Sequence, residues 1–441
     1  MLKNKMQNIS FNKITKFNKY FLIYLLFLGF CGIVFLYSKY DVSNDSTISE
    51  WLINYQGGFT RRGLIGEICF HLAKFFKTDL RFVIFLLQVF TYLTFLFLTY
   101  NFFKNLNINS FLLFVIFTPV FLLYPVAEIE VLARKELFLY IYFLCFLILS
   151  NPNSNYHKYV NLYIVIITPI VCMIYEEIIL FFPFIVACLI TQRNVKKFST
   201  FFKICFLFLP SILIIIYFFL FPLTIEDHNI MKESLLSNFN EKCYMSCSLL
   251  IINDINQFGT MIDFMYGKNS TQDILKFVLR YFLIILIGFF PLFFISYHSK
   301  FKNENIFSIF KFENILFLIL FLFIPVIPLF IFAYDWGRWV GMMISFSIFF
   351  YFFLYKYQYI DVDFKTMSNR LIFLMNKKKL VIFIFIIFAF GWNQKTVMSG
   401  DVATNPLWKV PYNTSKLIFG VKSFRIFQDS PLILWHRKYI E

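Results

Sequence analysis

At 441 residues, 59% of them hydrophobic and only 15% charged, the chain lies outside the range of soluble domains, which are about half apolar and a quarter charged. The net charge of +16 does not mark a nucleic-acid binder. Many of the cations sit in short loops between apolar runs, the pattern that sets membrane orientation and that favours anionic lipid headgroups.

The basic start (Lys3, Lys5, Lys13, Lys16, Lys19) leads into an apolar run at 20–38. A bilayer core about 30 Å thick needs about 20 such residues at a rise of 1.5 Å each. With no small-residue cleavage site, the run reads as a retained first span with its N-terminus in the cytoplasm. Further spans are expected at 80–101, 109–126, 137–150, 160–175, 178–191, 204–223, 275–297, 313–333, 338–356 and 379–392, about eleven in all with a window of roughly 19 residues. Only Glu176 and Glu177 divide the apolar stretch at 160–191. One helix of that length would overshoot the bilayer, so two are expected. Alternation then puts every short basic loop inside: Lys104, Lys158, Arg193 to Lys203, Lys300 to Lys311, and Lys356 onward. The expected organisation is a multi-span domain at 1–392, with outer loops at 39–79 and 224–275, followed by an outer tail at 393–441.

The outer segments carry the chemistry-bearing residues. The stretch NYQGGFTRRGLIGE (54–67) holds four of the chain's 14 glycines and places Arg61 beside Arg62 in a chain that mostly uses lysine. Gly57 and Gly58 are expected to form a turn with backbone amides open to a ligand. From Gly63 onward, Leu64, Ile68, Leu72 and Phe75 share one helical face, while Glu67, His71 and Lys74 share another. This predicts a helix lying in the membrane interface. Two guanidiniums at such a helix N-terminus suit a phosphate or pyrophosphate; lipid-headgroup anchoring is the plainer alternative. The sequence lacks the GKS/T of a P-loop.

Asp41, Asp45 and Glu50 follow the first span. AEIEVLARKE (127–136) offers Arg134 and Lys135 as anion ligands, with Glu130 and Arg134 spaced to pair along a helix. Glu176 and Glu177, adjacent and without a local cation, raise each other's pKa and are candidates for a general base. FAYDWGRWVG brings Asp335, Trp336 and Arg338 together; tryptophan suits both the membrane interface and the apolar face of a sugar ring. Asp335, Glu176, Glu177 and Asp45 are thus the candidate catalytic residues. Cys243 and Cys247 share one loop, where a disulfide or two free thiols are both open. A zinc site lacks its four ligands, no cofactor is indicated, and a need for a divalent metal is left open. The tail's NPLWKVPY and LILWHRKY suit a carbohydrate or interfacial surface, and His436 there reads as structural.

This assembly of about eleven spans, a long first outer segment with GGFTRRG, a second large outer loop, ARKE and DWGRW resembles the Wzy-type polymerases of bacterial O-antigen and capsule. The likeness is one of architecture over the whole chain, without a diagnostic motif, and the tail is longer than the family leads one to expect. It implies a GT-C-like helical fold in the bacterial inner membrane and a non-cytoplasmic site. There, oligosaccharide units carried on undecaprenyl pyrophosphate would be joined, with arginines holding the pyrophosphate. Membrane lipid and a chain-length regulator protein are the implied partners. Two alternatives remain: a GT-C glycosyltransferase using a polyprenyl-phosphate sugar, and a flippase for lipid-linked sugars. A flippase is expected to place ionisable groups deep within its spans, and these spans are nearly free of charge.

Overall fold

The computed structural model describes residues 2–40, 42, 45–251, 266–267, 269–302, 312, 314–370, 377–400 and 402. Asp41, part of the loop expected at 224–275, and nearly all of the tail expected at 393–441, with His436 and both of its tryptophan stretches, lie outside the described residues.

The chain is an all-α, multi-pass membrane protein. Among the described residues, six helices are long and apolar enough to cross a membrane: Lys16–Lys39, Leu80–Phe103, Asn155–Ile174, Thr271–Tyr297, Ile315–Phe332 and Trp336–Lys356. A seventh follows if Phe198–Phe206 and Leu209–Leu220, bent by 54°, form one span. Among the described residues the strands are Ser299–Phe301 and Ile360–Val362, an antiparallel pair with Ser299 opposite Val362.

The other expected spans are shorter or broken. Glu136–Leu149, Phe182–Arg193 and Lys378–Phe390 have 14, 12 and 13 residues, about 20 Å of helix against a hydrocarbon core of about 30 Å. The run expected at 109–126 is not one helix. It is helical over Ser110–Ile116, passes through turns, and resumes at Tyr124–Ala127. Pro119 lacks an N–H and pushes Thr118 out of the helical region. Thr118 Oγ1 instead donates to Gly288 O at 2.7 Å.

Trp336–Lys356 is the central helix, fully enclosed along its apolar window, whereas the other spans leave more than half of theirs uncovered. Its sequence explains this position. Gly337 and Gly341 admit close neighbours, and a Cβ on Gly341 would meet the Tyr124 ring at 2.7 Å. Ser345 and Ser347 satisfy their hydroxyls on the carbonyls of Gly341 and Met343. Small and hydroxyl-bearing residues serve such contacts where water cannot drive association. Phe346 stacks on Phe181 and Phe143 at 4.4 and 4.7 Å.

Contacts sort the helix ends into two groups. At one end Lys356 Nζ reaches Phe102 O at 2.6 Å, Tyr355 donates to Asn107 O, and Asn18 pairs with Asn105. At the other end the starts of the helices at 136 and 336 meet the turn at 176–181 and the segment around Arg62.

Candidate functional site

The segment around Arg62 is held by packing between small residues. Gly63–Phe76 is a helix that buries Ile65, Gly66, Cys69, Phe70 and Ala73. A Cβ on Gly66 would fall 1.8 Å from Ile53 O, so only glycine lets the helix lie this close. Ile68 and Phe75 of the expected apolar stripe stay exposed, with Leu64 and Leu72 partly so, an uncovered greasy face that suits an interfacial helix. Arg62 caps this helix in the left-handed region (φ 62°). The ammonium of Lys135 donates to the Arg62 carbonyl at 2.6 Å, and the Tyr175 ring lies 4.7 Å from the Arg62 guanidinium carbon.

Glu50 arrives on the short helix Ser46–Leu52, where it is 1% exposed. Trp51 Nε1 and Gln88 Nε2 both donate to Ala133 O, at 2.7 and 2.8 Å, which fixes the backbone just before Arg134 and Lys135. Glu136 and Arg338 are supplied by the first turns of two helices.

These pieces form one buried network. Arg62 Nε lies 3.0 Å from both oxygens of Glu176, and its Nη2 lies 2.9 Å from Glu177 Oε1. Arg62 Nη1 reaches Glu50 Oε1 at 3.4 Å, and Arg134 reaches Glu50 Oε2 at 3.6 Å. Arg134 also faces Asp335 at 3.9 Å. Arg338 pairs with Glu136 and with Asp335, and donates to the Tyr175 hydroxyl at 2.5 Å. Arg61 stands 3.7 Å from Glu176 at the more open edge. With Lys135, five cations meet five carboxylates. Desolvating so many charges is costly unless each is paired, and the pairing across five separate stretches of sequence offsets that cost.

The two adjacent glutamates differ. Burial pushes both carboxyls up. At Glu176 the guanidiniums of Arg62 and Arg61 outweigh burial and hold the group below its ordinary range. At Glu177 burial wins over Arg62, the charge of Glu176 adds to it, and the group is pushed up to about 7. Asp335 is raised by burial but lowered further by Arg338 and Arg134, and ends below its ordinary range. Burial pushes Lys135 down to about 8.

Of the residues singled out from sequence, Asp335, Glu176, Glu177, Arg61, Arg62, Arg134, Lys135 and Arg338 are brought together. Lys135 is fully buried and supports Arg62 from behind. Asp45 stands apart. It caps Ser46–Leu52, accepting from the amides of Thr47 and Ile48, and it pairs with Lys39 at 2.5 Å. That is an ordinary N-cap role, and with Lys39 counteracting burial its carboxyl sits below the usual range.

Gly57 and Gly58 are occupied by chain packing. A Cβ on Gly57 would fall 1.9 Å from Asp227 O, and the Gly58 amide donates to Tyr55 O. The Trp336 ring is buried between Tyr281 and Phe330, at centroid distances of 5.4 and 5.8 Å, with no open face for a sugar. The expected helical pair of Glu130 with Arg134 does not form, because that helix ends at Leu132 and Arg134 turns to Glu50 and Asp335. Cys243 and Cys247 are disulfide-bonded, and both sulfurs pack on Ser49 O.

Glu50, Glu136 and Tyr175 are central to the network but carried little signal in sequence. Glu136 was one charge among several in 127–136, and Tyr175 one of 26 tyrosines. Among the described residues, no group of three His, Cys, Asp or Glu side chains is arranged to hold a metal ion.

An apolar groove of about 380 Å³ runs along the helix that follows the two glutamates. Ile179, two residues beyond Glu177, lines it together with Phe182, Val186, Ile190, Phe208 and Ile212, and no charged residue does. No family model, curated protein or solved structure matches the chain.

Proposed function

We propose that the chain is a glycosyltransferase of bacterial surface-polysaccharide assembly. In this reading it joins oligosaccharide repeat units carried on undecaprenyl pyrophosphate at the outer face of the inner membrane. The N-terminus is cytoplasmic, the tail lies outside, and about eleven crossings form a GT-C-like layout.

One observation carries the reading. Arginines from three distant stretches (Arg62, Arg134 and Arg338) and the carboxylates of Glu176, Glu177 and Asp335 converge at one end of the bundle, and Ile179, two residues beyond Glu177, lines an apolar groove. An amphiphile with a diphosphate head and a long hydrocarbon tail matches that pair of features. Such a substrate brings its own leaving group, so no nucleotide is needed outside the cell.

In the reaction, the acceptor hydroxyl oxygen bonds to the donor sugar's anomeric carbon. The bond from that carbon to the diphosphate oxygen breaks, and its electron pair leaves with the diphosphate. The acceptor's proton passes to a carboxylate, for which Glu177 is best suited. A base works best with a pKa near the operating pH, whereas Glu176 and Asp335 are locked to arginines. Fixed guanidiniums stabilise the charge that grows on the departing diphosphate.

A flippase fits less well. The helices at 136–149 and 336–356 carry Asp, Glu, Lys, Arg or His only in their terminal turns, and the helix at 160–174 carries none, whereas a polar path through the bilayer needs them deeper.

The test is a deletion strain. Polysaccharide that shrinks to a single repeat supports the polymerase. Loss of one sugar from each repeat points to the single-addition transferase that uses a polyprenyl-phosphate donor. Unchanged polysaccharide removes both. In the complemented strain, Arg62→Ala and Arg62→Lys both fail to restore product, because lysine lacks the planar fork that spans two oxygens. Full product from the lysine variant refutes the diphosphate role.

A further inference from the structure

We propose that Glu177 occupies the place of the substrate's anion in the empty site, and that an incoming phosphate group displaces it from Arg62. The proposal rests on the diphosphate-lipid reading above and adds how head-group binding and base release are coupled.

The geometry singles out one of the two glutamates. Glu176 is held on two sides, with both oxygens 3.0 Å from Arg62 Nε and Arg61 at 3.7 Å. Glu177 is held by a single oxygen, 2.9 Å from Arg62 Nη2, while its Oε2 is buried without a hydrogen-bond partner. A carboxylate with one engaged oxygen is the weaker ligand and leaves first. The guanidinium it leaves cannot easily turn away. Glu176 grips its Nε edge, Tyr175 covers one face, and Lys135 fixes the backbone carbonyl.

An anion arriving from the more open Arg61 side therefore finds Nη2 already aimed. A phosphate oxygen replaces a carboxylate oxygen at the same donor, so no charge is left unpaired on the arginine. Glu177, freed of its cation, binds a proton more readily, which is what a base needs at the moment the head group is seated. The exchange couples donor binding to base activation with no movement larger than a side-chain rotation.

The experiment uses the purified full-length chain in detergent micelles, with inorganic pyrophosphate as the probe and chloride at matched ionic strength as the screening control. Glu177→Gln removes the internal competitor and is expected to bind pyrophosphate roughly tenfold more tightly than the unaltered chain, the gain from releasing one charge-assisted hydrogen bond. Adding Arg62→Lys to that variant abolishes the gain.

A second measurement needs no substitution at a buried site. Sulfate keeps its charge between about pH 6 and pH 8, where an acid of pKa near 7 changes state, so it is expected to bind the unaltered chain more tightly at the lower pH. The groups facing Glu177 are Arg62, Arg61, Glu176, Arg338, Glu136 and Tyr175, and a protonated Glu177 gives up Arg62 among them. Equal pyrophosphate affinity with and without Glu177→Gln, together with pH-independent sulfate binding, overturns the exchange and leaves the anion site intact. Pyrophosphate affinity that Arg62→Lys does not change overturns both the exchange and the diphosphate reading on which it rests.

Discussion

Replacing Arg338 by methionine removes the partner of Glu136 at a place where neither side chain is more than 4% exposed. Breaking a buried pair by deleting one member costs about 3–5 kcal/mol, because the charge left behind has neither water nor a counter-ion. Here the loss also takes one partner each from the Tyr175 hydroxyl, which keeps only Glu136, and from Asp335, so the upper part of that range is expected. Glu136→Gln alone is the mirror case and leaves a buried guanidinium underpaired, although Asp335 still meets it. The double variant Arg338→Met with Glu136→Gln removes both charges and is expected to recover most of the loss, since neutral replacements of buried ion pairs are often tolerated. Thermal unfolding of the three variants in detergent, followed by tryptophan fluorescence, reads the cycle. The single variants should fall by on the order of 5 °C or more, and the double variant should lie above both. Single variants within a degree of the unaltered chain, or a double variant that is simply additive, would refute a coupled buried pair. Activity is expected to be lost in all three, so stability and catalysis separate in the double variant.

Turnover should rise with pH through about 7. Glu177 must be deprotonated to accept a proton, and burial has raised its pKa to that value; below it the group is protonated and idle. A pH–rate profile flat between about pH 6 and 8 assigns the proton elsewhere. Gly337→Ala should lower both yield and thermal midpoint, since a Cβ there would sit 1.8 Å from Lys395 O and would push the 393–400 segment off the central helix. A variant with unchanged midpoint would show that the segment yields freely.

Much of the site was legible because polarity is rare in this chain. Arg61, Arg62, Arg134, Lys135, Glu176, Glu177, Asp335 and Arg338 stand out against apolar runs, and the structure brings them together at one end of the bundle. The sequence could not say which charge meets which. Arg134 is spaced to pair with Glu130, but the helix is too short for that pair, and Glu50, which reads as a loop carboxylate, is almost wholly buried.

Asp45 and Glu50 are five residues apart and similar on paper, yet one caps a helix and the other enters the network. The direction of one short helix decides between them, and local composition does not encode it. The interruption at Thr118–Pro119 was visible as a proline inside an apolar run. Hydropathy averaging passed over it because each side remains greasy. Gly57 and Gly58 stand out as a turn open to a ligand. Gly57 instead serves close approach to the backbone at Asp227, a contact between segments far apart in sequence, which a single sequence does not display.

Glu176–Phe181 is a 3-10 helix of about two turns that carries both glutamates at its start and Ile179, a groove-lining residue, at its middle. At a rise of about 2 Å per residue, the polar and the greasy landmark are spaced only about 4 Å apart along that axis. In the proposed reading, a lipid seated here would be measured from its junction, where head joins tail, and not from its far end. Analogues with the first isoprene unit intact and the rest cut away should be gauged much like the full-length carrier, whereas moving the junction by one bond should be felt at once.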